Sequence, residues 1–211
     1  VVFCLDGAGL VGQDGPTHHG VFDMAYLRCI PNLTIFAPMN EMELRNMMFT
    51  AQNQLQGPLA IRYPRGRGIV LNWKKPFKSI PLGKAQCLKK GTKLAVLSIG
   101  HIGNTVASIL DDIDKVGKTG HYNMRFVKPL DHEMLRTIFD KYEIVFTVED
   151  GCAIGGFGSA ILEFASKEGI RKTIKVFGVP DRFIDQGNMA ETHILAEIDT
   201  QSLKESIKST L

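Results

Sequence analysis

Residues 33–63, LTIFAPMNEMELRNMMFTAQNQLQGPLAIRY, decide the fold. Leu33 to Ala37 and Leu59 to Tyr63 are short apolar runs, the pattern of buried strands. Between them Leu44, Met47, Met48 and Ala51 recur at i, i+3, i+4 and i+7, which gathers apolar side chains on one face of an α-helix. Asn40, with Glu43 three residues on, supplies a capping-box start for that helix. Strand, helix and strand in this order feed a mostly parallel sheet.

The same alternation extends in both directions. Upstream, Val1 to Leu5 reads as another buried strand, and a loop separates it from a helical stretch around Phe22 to Cys29. Downstream, Arg65 to Lys93 is rich in Gly, Pro and Lys without a sustained helical period, which predicts a linker with one or two short strands and a domain boundary. A strand at Leu94 to Ile99 follows, then a helix faced by Val106, Ile109, Leu110 and Ile113. Extended segments are expected at Tyr122 to Val127, Ile144 to Val148 and Ile174 to Val179. Helices are expected around Met134 to Phe139 and Ser159 to Ala165, with a last one lined by Leu203, Ile207 and Leu211. The second unit is thus a small α/β sandwich of its own.

Composition narrows the function. A chain of 211 residues with 44% hydrophobic side chains can bury one sizeable core or two modest ones. A net charge of +3, with dispersed Lys and Arg, does not make the basic stripe of a nucleic-acid binder. No apolar run approaches the roughly 20 residues that span a bilayer, so a membrane partner is not expected. Cys4, Cys29, Cys87 and Cys152 are widely spaced, without a C-x-x-C pair, which points to reduced thiols in the cytoplasm rather than disulfides or zinc. The chain starts without Met, directly in an apolar run, and upstream sequence is expected.

Asp14-Gly15-Pro16-Thr17-His18-His19-Gly20 follows a strand, where open α/β sheets place ligands. It offers one carboxylate and two imidazoles, and a positioned His there could move protons or hold a developing oxyanion. An Asx-turn at Asp14 with solvated histidines is the competing reading. Adjacent histidines diverge and lack the i, i+4 spacing of a metal pair, so no metal site is expected. Arg62-Tyr63-Pro64-Arg65-Gly66-Arg67-Gly68 ends a strand with three guanidinium groups suited to a phosphate or carboxylate, although alternation can point Arg62 away from the others. Gly151 to Gly158 lies between a strand and a helix but lacks the G-x-G-x-x-G spacing, so close packing is the expectation there rather than a phosphate site. Glu149 and Asp150 end the preceding strand and are read as capping that turn or as functional.

These segments together resemble the 1-deoxy-D-xylulose-5-phosphate synthases, thiamine-diphosphate enzymes of the transketolase superfamily. The carriers are Ala8 to Gly12, Asp14 to His18, Phe22-Asp23 with Tyr26 to Pro31, Arg62 to Gly66, Met124 to Asp131 and Gly178 to Asp181. Asp-Gly-Pro-Thr-His is shared with transketolases proper; the Phe22 to Pro31 run and Arg-Tyr-Pro-Arg-Gly narrow the choice. The resemblance implies the carboxyl-terminal part of a pyrimidine-binding domain over 1–66, a linker over 67–92 and a transketolase C-terminal α/β domain over 93–211. It implies condensation of pyruvate with glyceraldehyde 3-phosphate, release of carbon dioxide, and a homodimer. His18 would handle a proton or oxyanion, Asp14 would orient nearby groups, and Arg65 would grip the substrate phosphate.

Thiamine diphosphate and Mg²⁺ would be bound mainly by sequence preceding Val1, with no cofactor-binding residue in this chain, which is therefore expected to be inactive by itself. Its first sheet is expected to have an exposed edge. Where the family reads Asp-Arg-Ala-Gly, this chain has Asp6-Gly7-Ala8-Gly9. A missing charge-assisted hydrogen bond of about 1.5 to 3 kcal/mol would weaken acceptor binding about ten- to a hundred-fold. The alternatives are a transketolase-like or 2-oxoacid dehydrogenase β-type subunit, and a non-catalytic assembly module.

Overall fold

The computed structural model describes residues 1–54, 57–70 and 72–211; Leu71, within the expected linker, lies outside the described residues. The chain runs β1 (Val2–Leu5), α1 (Asp23–Arg28), β2 (Thr34–Phe36), α2 (Glu41–Gln54), β3 (Leu59–Arg62), β4 (Gln86–Lys89), β5 (Leu94–Ser98), α3 (Ile102–Ile113), β6 (Thr119–Asn123), β7 (Phe126–Lys128), α4 (His132–Lys141), β8 (Ile144–Cys152), α5 (Phe157–Lys167), β9 (Thr173–Val179), α6 (Met189–Leu195) and α7 (Thr200–Thr210). The first sheet has the order β1-β3-β2-β7, with only β7 antiparallel. The second has the order β4-β6-β5-β8-β9, with only β4 antiparallel.

The β2-α2-β3 segment forms as its pattern dictates. Met47 is fully buried against Phe36, Leu59, Ile61 and Phe126, and Leu44, Met48 and Ala51 pack beside it. Burying one such side chain contributes roughly 1.5–3 kcal/mol. The cap is only half as expected. Asn40 Oδ1 accepts the Glu43 N–H, but the Glu43 carboxylate accepts from Met39 N–H, Asn123 and Arg125 rather than from Asn40. The second unit draws that carboxylate away from its own helix end.

Three expectations need correction. β1 is an exposed edge strand rather than a buried one: among the described residues β3 alone pairs with it, and Phe3 is 49% exposed. The extended segment Tyr122 to Val127 is two strands in two sheets, because Arg125 adopts a left-handed φ of 58° between them and redirects the chain. β8 continues through Cys152, which places Glu149 and Asp150 inside the strand. In addition, α6 has no counterpart in the apolar pattern, although Asn188 and Glu191 form a complete capping box.

One buried cluster is common to the two sheets. Met24, Leu33 and Ile35 share a buried cluster with Leu97, Tyr122, Leu135 and Phe157. In the second sheet, β5 connects through α3 to β6 on one side, and the chain then returns to β8 on the other. Strand order therefore reverses between β5 and β8, and their carboxyl ends flank a crevice.

Candidate active site

The loop after β1 is closed at its base by Gly9 and Gly20, which exchange both backbone hydrogen bonds at 2.8 and 2.9 Å. Gly20 has to be glycine, since a Cβ there would sit 2.3 Å from Gly7 O. The flanking Leu10 and Val21 are buried in the second unit's cluster with Val148, Val179 and Ile184. Inside the loop the two adjacent histidines part, as their divergent directions require. His18 is exposed, and its Nδ1 lies 3.0 Å from Thr17 Oγ1. His19 is buried: its Nδ1 accepts the Val11 N–H at 3.1 Å, which leaves Nε2–H to donate to Ile184 O at 3.1 Å. Burial lowers its pKa, with the His18 charge adding to that and the Ile184 bond opposing it. His18 is available for chemistry, whereas His19 is an anchor.

The arginines of the Arg62 to Gly68 segment part in the same way. Arg65 is exposed at the end of β3 and ion-pairs with Asp14. The Asp14 carboxylate thus faces Arg65. Arg67 is exposed as well. Arg62 turns inward. Its Nε donates to Asp23 Oδ2 at 2.7 Å, Nη1 to Asp150 Oδ1 at 2.6 Å, and Nη2 to Gly20 O at 3.0 Å. Burial opposes the charge on Arg62, yet the two carboxylates raise its pKa. Burial likewise opposes ionisation of Asp150, but Arg62 and then His101 outweigh it and hold the carboxyl well below its usual range. His101 Nδ1 lies 2.9 Å from Asp150 Oδ2.

The glycine-rich turn is closed to a phosphate. Glu149 accepts the N–H groups of Phe157 and Gly158 at 2.9 and 2.7 Å, which satisfies the start of α5 from inside the protein. Burial pushes Glu149 up to about 7 despite these bonds. A Cβ on Gly158 would meet Val176 at 2.4 Å, the close helix-to-strand packing expected there. Among the described residues no group of three His, Cys, Asp or Glu could hold a metal ion. Nor is any helix among them long and apolar enough to cross a membrane.

An exposed Asp-His loop beside a strand-end Arg, on paired parallel sheets, matches known domains across the chain. The pyrimidine-binding domain of transketolase matches residues 1–68, and the transketolase C-terminal domain matches residues 83–203. The chain belongs to the transketolase family. This transketolase-family chain is 50% identical over 99% of its length to the 1-deoxy-D-xylulose-5-phosphate synthase of Cytophaga hutchinsonii. It is 42% identical over 100% of its length to the protein of the same name from Aquifex aeolicus. It spans about one third of each relative, 33% in both cases. Among solved structures, a split-gene transketolase described as an inactive β4 tetramer superposes with a TM-score of 0.82 at 23% identity, covering 100% of this chain and 66% of that one. The transketolase of Campylobacter jejuni superposes at 0.76 and 20% identity, over 99% and 31% of the two chains. These two show the fold of the family member.

The signals for Arg62 and His19 were in the sequence, in strand alternation and in the His-His pair. Their partners, Asp150 and Ile184, lie 88 and 165 residues away, where no local pattern reaches.

Proposed function

We propose that this chain is the acceptor-side part of a 1-deoxy-D-xylulose-5-phosphate synthase, joining pyruvate to glyceraldehyde 3-phosphate with loss of carbon dioxide. One observation carries the reading: an exposed His18, with Asp14 and Arg65 paired beside it, at the carboxyl ends of parallel strands in a chain about half identical to synthases of that name. Bound thiamine diphosphate would supply the nucleophilic carbon. By the same resemblance, the cofactor and Mg²⁺ would be held mainly by sequence outside this chain, which spans 33% of the length of the Cytophaga synthase.

The chain's own residues account for the acceptor half. Arg65 can leave the exposed Asp14 carboxylate for a phosphate dianion, which it grips as a fork. His18, exposed to solvent, can give a proton to the aldehyde oxygen as it gains charge. Asp14 keeps Arg65 oriented until the phosphate arrives. Residues 1–66, 67–92 and 93–211 are proposed as the pyrimidine-binding part, the linker and the C-terminal domain of a cytoplasmic homodimer.

The test is turnover of the complete gene product with thiamine diphosphate and Mg²⁺. Condensation of the two substrates that collapses on His18→Ala is the expected result; no condensation by the unaltered protein would sink the reading, and unchanged turnover in the variant would favour an assembly role.

A further inference from the structure

In an open parallel sheet, ligands bind in the crevice where strand order reverses. In the second sheet that crevice is filled by a side chain of the first unit. Arg62 enters between the ends of β5 and β8, and a Cβ on Gly100 would lie 3.7 Å from its Nη1. Asp150 meets it there, 0% exposed, and Asp23 meets it from the first unit. The third arm of the same guanidinium reaches Gly20 O, the residue that closes the loop carrying His18. From the other side, Cys152 N–H donates to Val21 O at 2.7 Å. The carboxyl base of the loop is thus held from the second unit.

Stability alone does not account for this choice. The shared apolar cluster already joins the units, and a buried ion pair is often no more stabilising than apolar side chains of the same volume. What a planar guanidinium with three fixed partners adds is direction. We propose that Asp150 is a positioning residue: through Arg62 it fixes Gly20 and so sets where the loop presents His18. The inference rests on the functional reading above only for its catalytic consequence.

The test uses the complete gene product and Asp150→Asn, which keeps the shape and removes the charge. Amide exchange at Gly9 and Gly20 should accelerate about tenfold or more. The kcat should fall about ten- to a hundred-fold, the loss that follows a displacement of about 1 Å at reacting groups, while KM for pyruvate stays within about threefold. Ile80→Ala, in the cluster of Phe36, Met47 and Phe126 that contains neither Leu10 nor Val21, is the control for a purely structural loss and should leave kcat and both amides unchanged. Where Asp150→Asn does not fold, Arg62→Lys is measured in its place: it keeps a positive charge between the carboxylates but cannot fork to Gly20. Unchanged exchange in the folded variant overturns the proposal, as does faster exchange with unaltered kcat. If the unaltered protein is inactive, the functional reading fails, and the exchange measurement still decides whether Asp150 holds the loop.

Discussion

Arg62 and Arg65 belong to one short motif and each faces an aspartate, yet the Arg62 side chain is 1% exposed and that of Arg65 is 67% exposed. His19 and His18 repeat the contrast one element away, the first locked between Val11 and Ile184 and the second turned to solvent. Burial decides which role a charged or titratable group takes. Inside, every arm of the guanidinium is committed, and removing it would leave carboxylates without a counter-charge. Outside, solvent weakens the pairing enough for an incoming anion to replace it.

The contrast is broken most severely at Arg62. Arg62→Ala should destabilise the protein by about 3–5 kcal/mol in urea unfolding, since Asp23 and Asp150 remain buried and unpaired. Replacing all three by apolar residues should recover most of that loss; a triple variant no more stable than the single one would refute this account of the junction.

A buried histidine extends the comparison to pH. His121, beside Ser98 Oγ at 2.7 Å, has its pKa lowered to about 4, chiefly by burial and then by Lys89. The folded protein therefore binds fewer protons than the unfolded chain between about 4 and 6.5. Its contribution is intact above 6.5 and is lost as pH falls through that window, by about 3 kcal/mol. Thermal melts of His121→Gln should show a shallower loss over the same range, and an unaltered slope would remove His121 from the account.

On the exposed side, Arg65→Ala should raise KM for the phosphorylated aldehyde about ten- to a hundred-fold, the equivalent of about 1.5–3 kcal/mol, with the melting temperature little changed. A large stability loss would mean that Arg65 is structural like Arg62. Under the proposed function, Gly7→Arg tests the same phosphate subsite, because the family carries Arg at that position. It should strengthen acceptor binding at a stability cost of about 1–2 kcal/mol, because Gly7 has φ 71° and an added Cβ there would meet Val11 Cγ1 at 3.6 Å, an ordinary contact. The smallest effect is expected for Asp14→Asn, whose stability by chemical denaturation should change by no more than about 1 kcal/mol.

The fold was readable wherever one face of an element had to be apolar. The β2-α2-β3 unit and the α3 face of Val106, Ile109 and Leu110 follow directly from spacing. β1 misled because an apolar run looks the same at the edge of a sheet as in its middle. The switch at Arg125 was hidden because a left-handed conformation carries no signal when the residue is not glycine or asparagine. Resemblance, rather than spacing, picked His18 and Arg65 as the functional members of their pairs.

The turn at Arg125 has a consequence for anyone recombining these proteins. Because β6 and β7 belong to different sheets, the fourth strand of the first sheet is encoded after the linker, in the middle of the second unit. A chimera spliced at residues 67–92 would exchange that strand together with Arg125, which pairs with Glu43, and Asp150, which pairs with Arg62. Compatible donors are those that bring all three along, so the unit of exchange is a set of matched contacts rather than a contiguous block of gene.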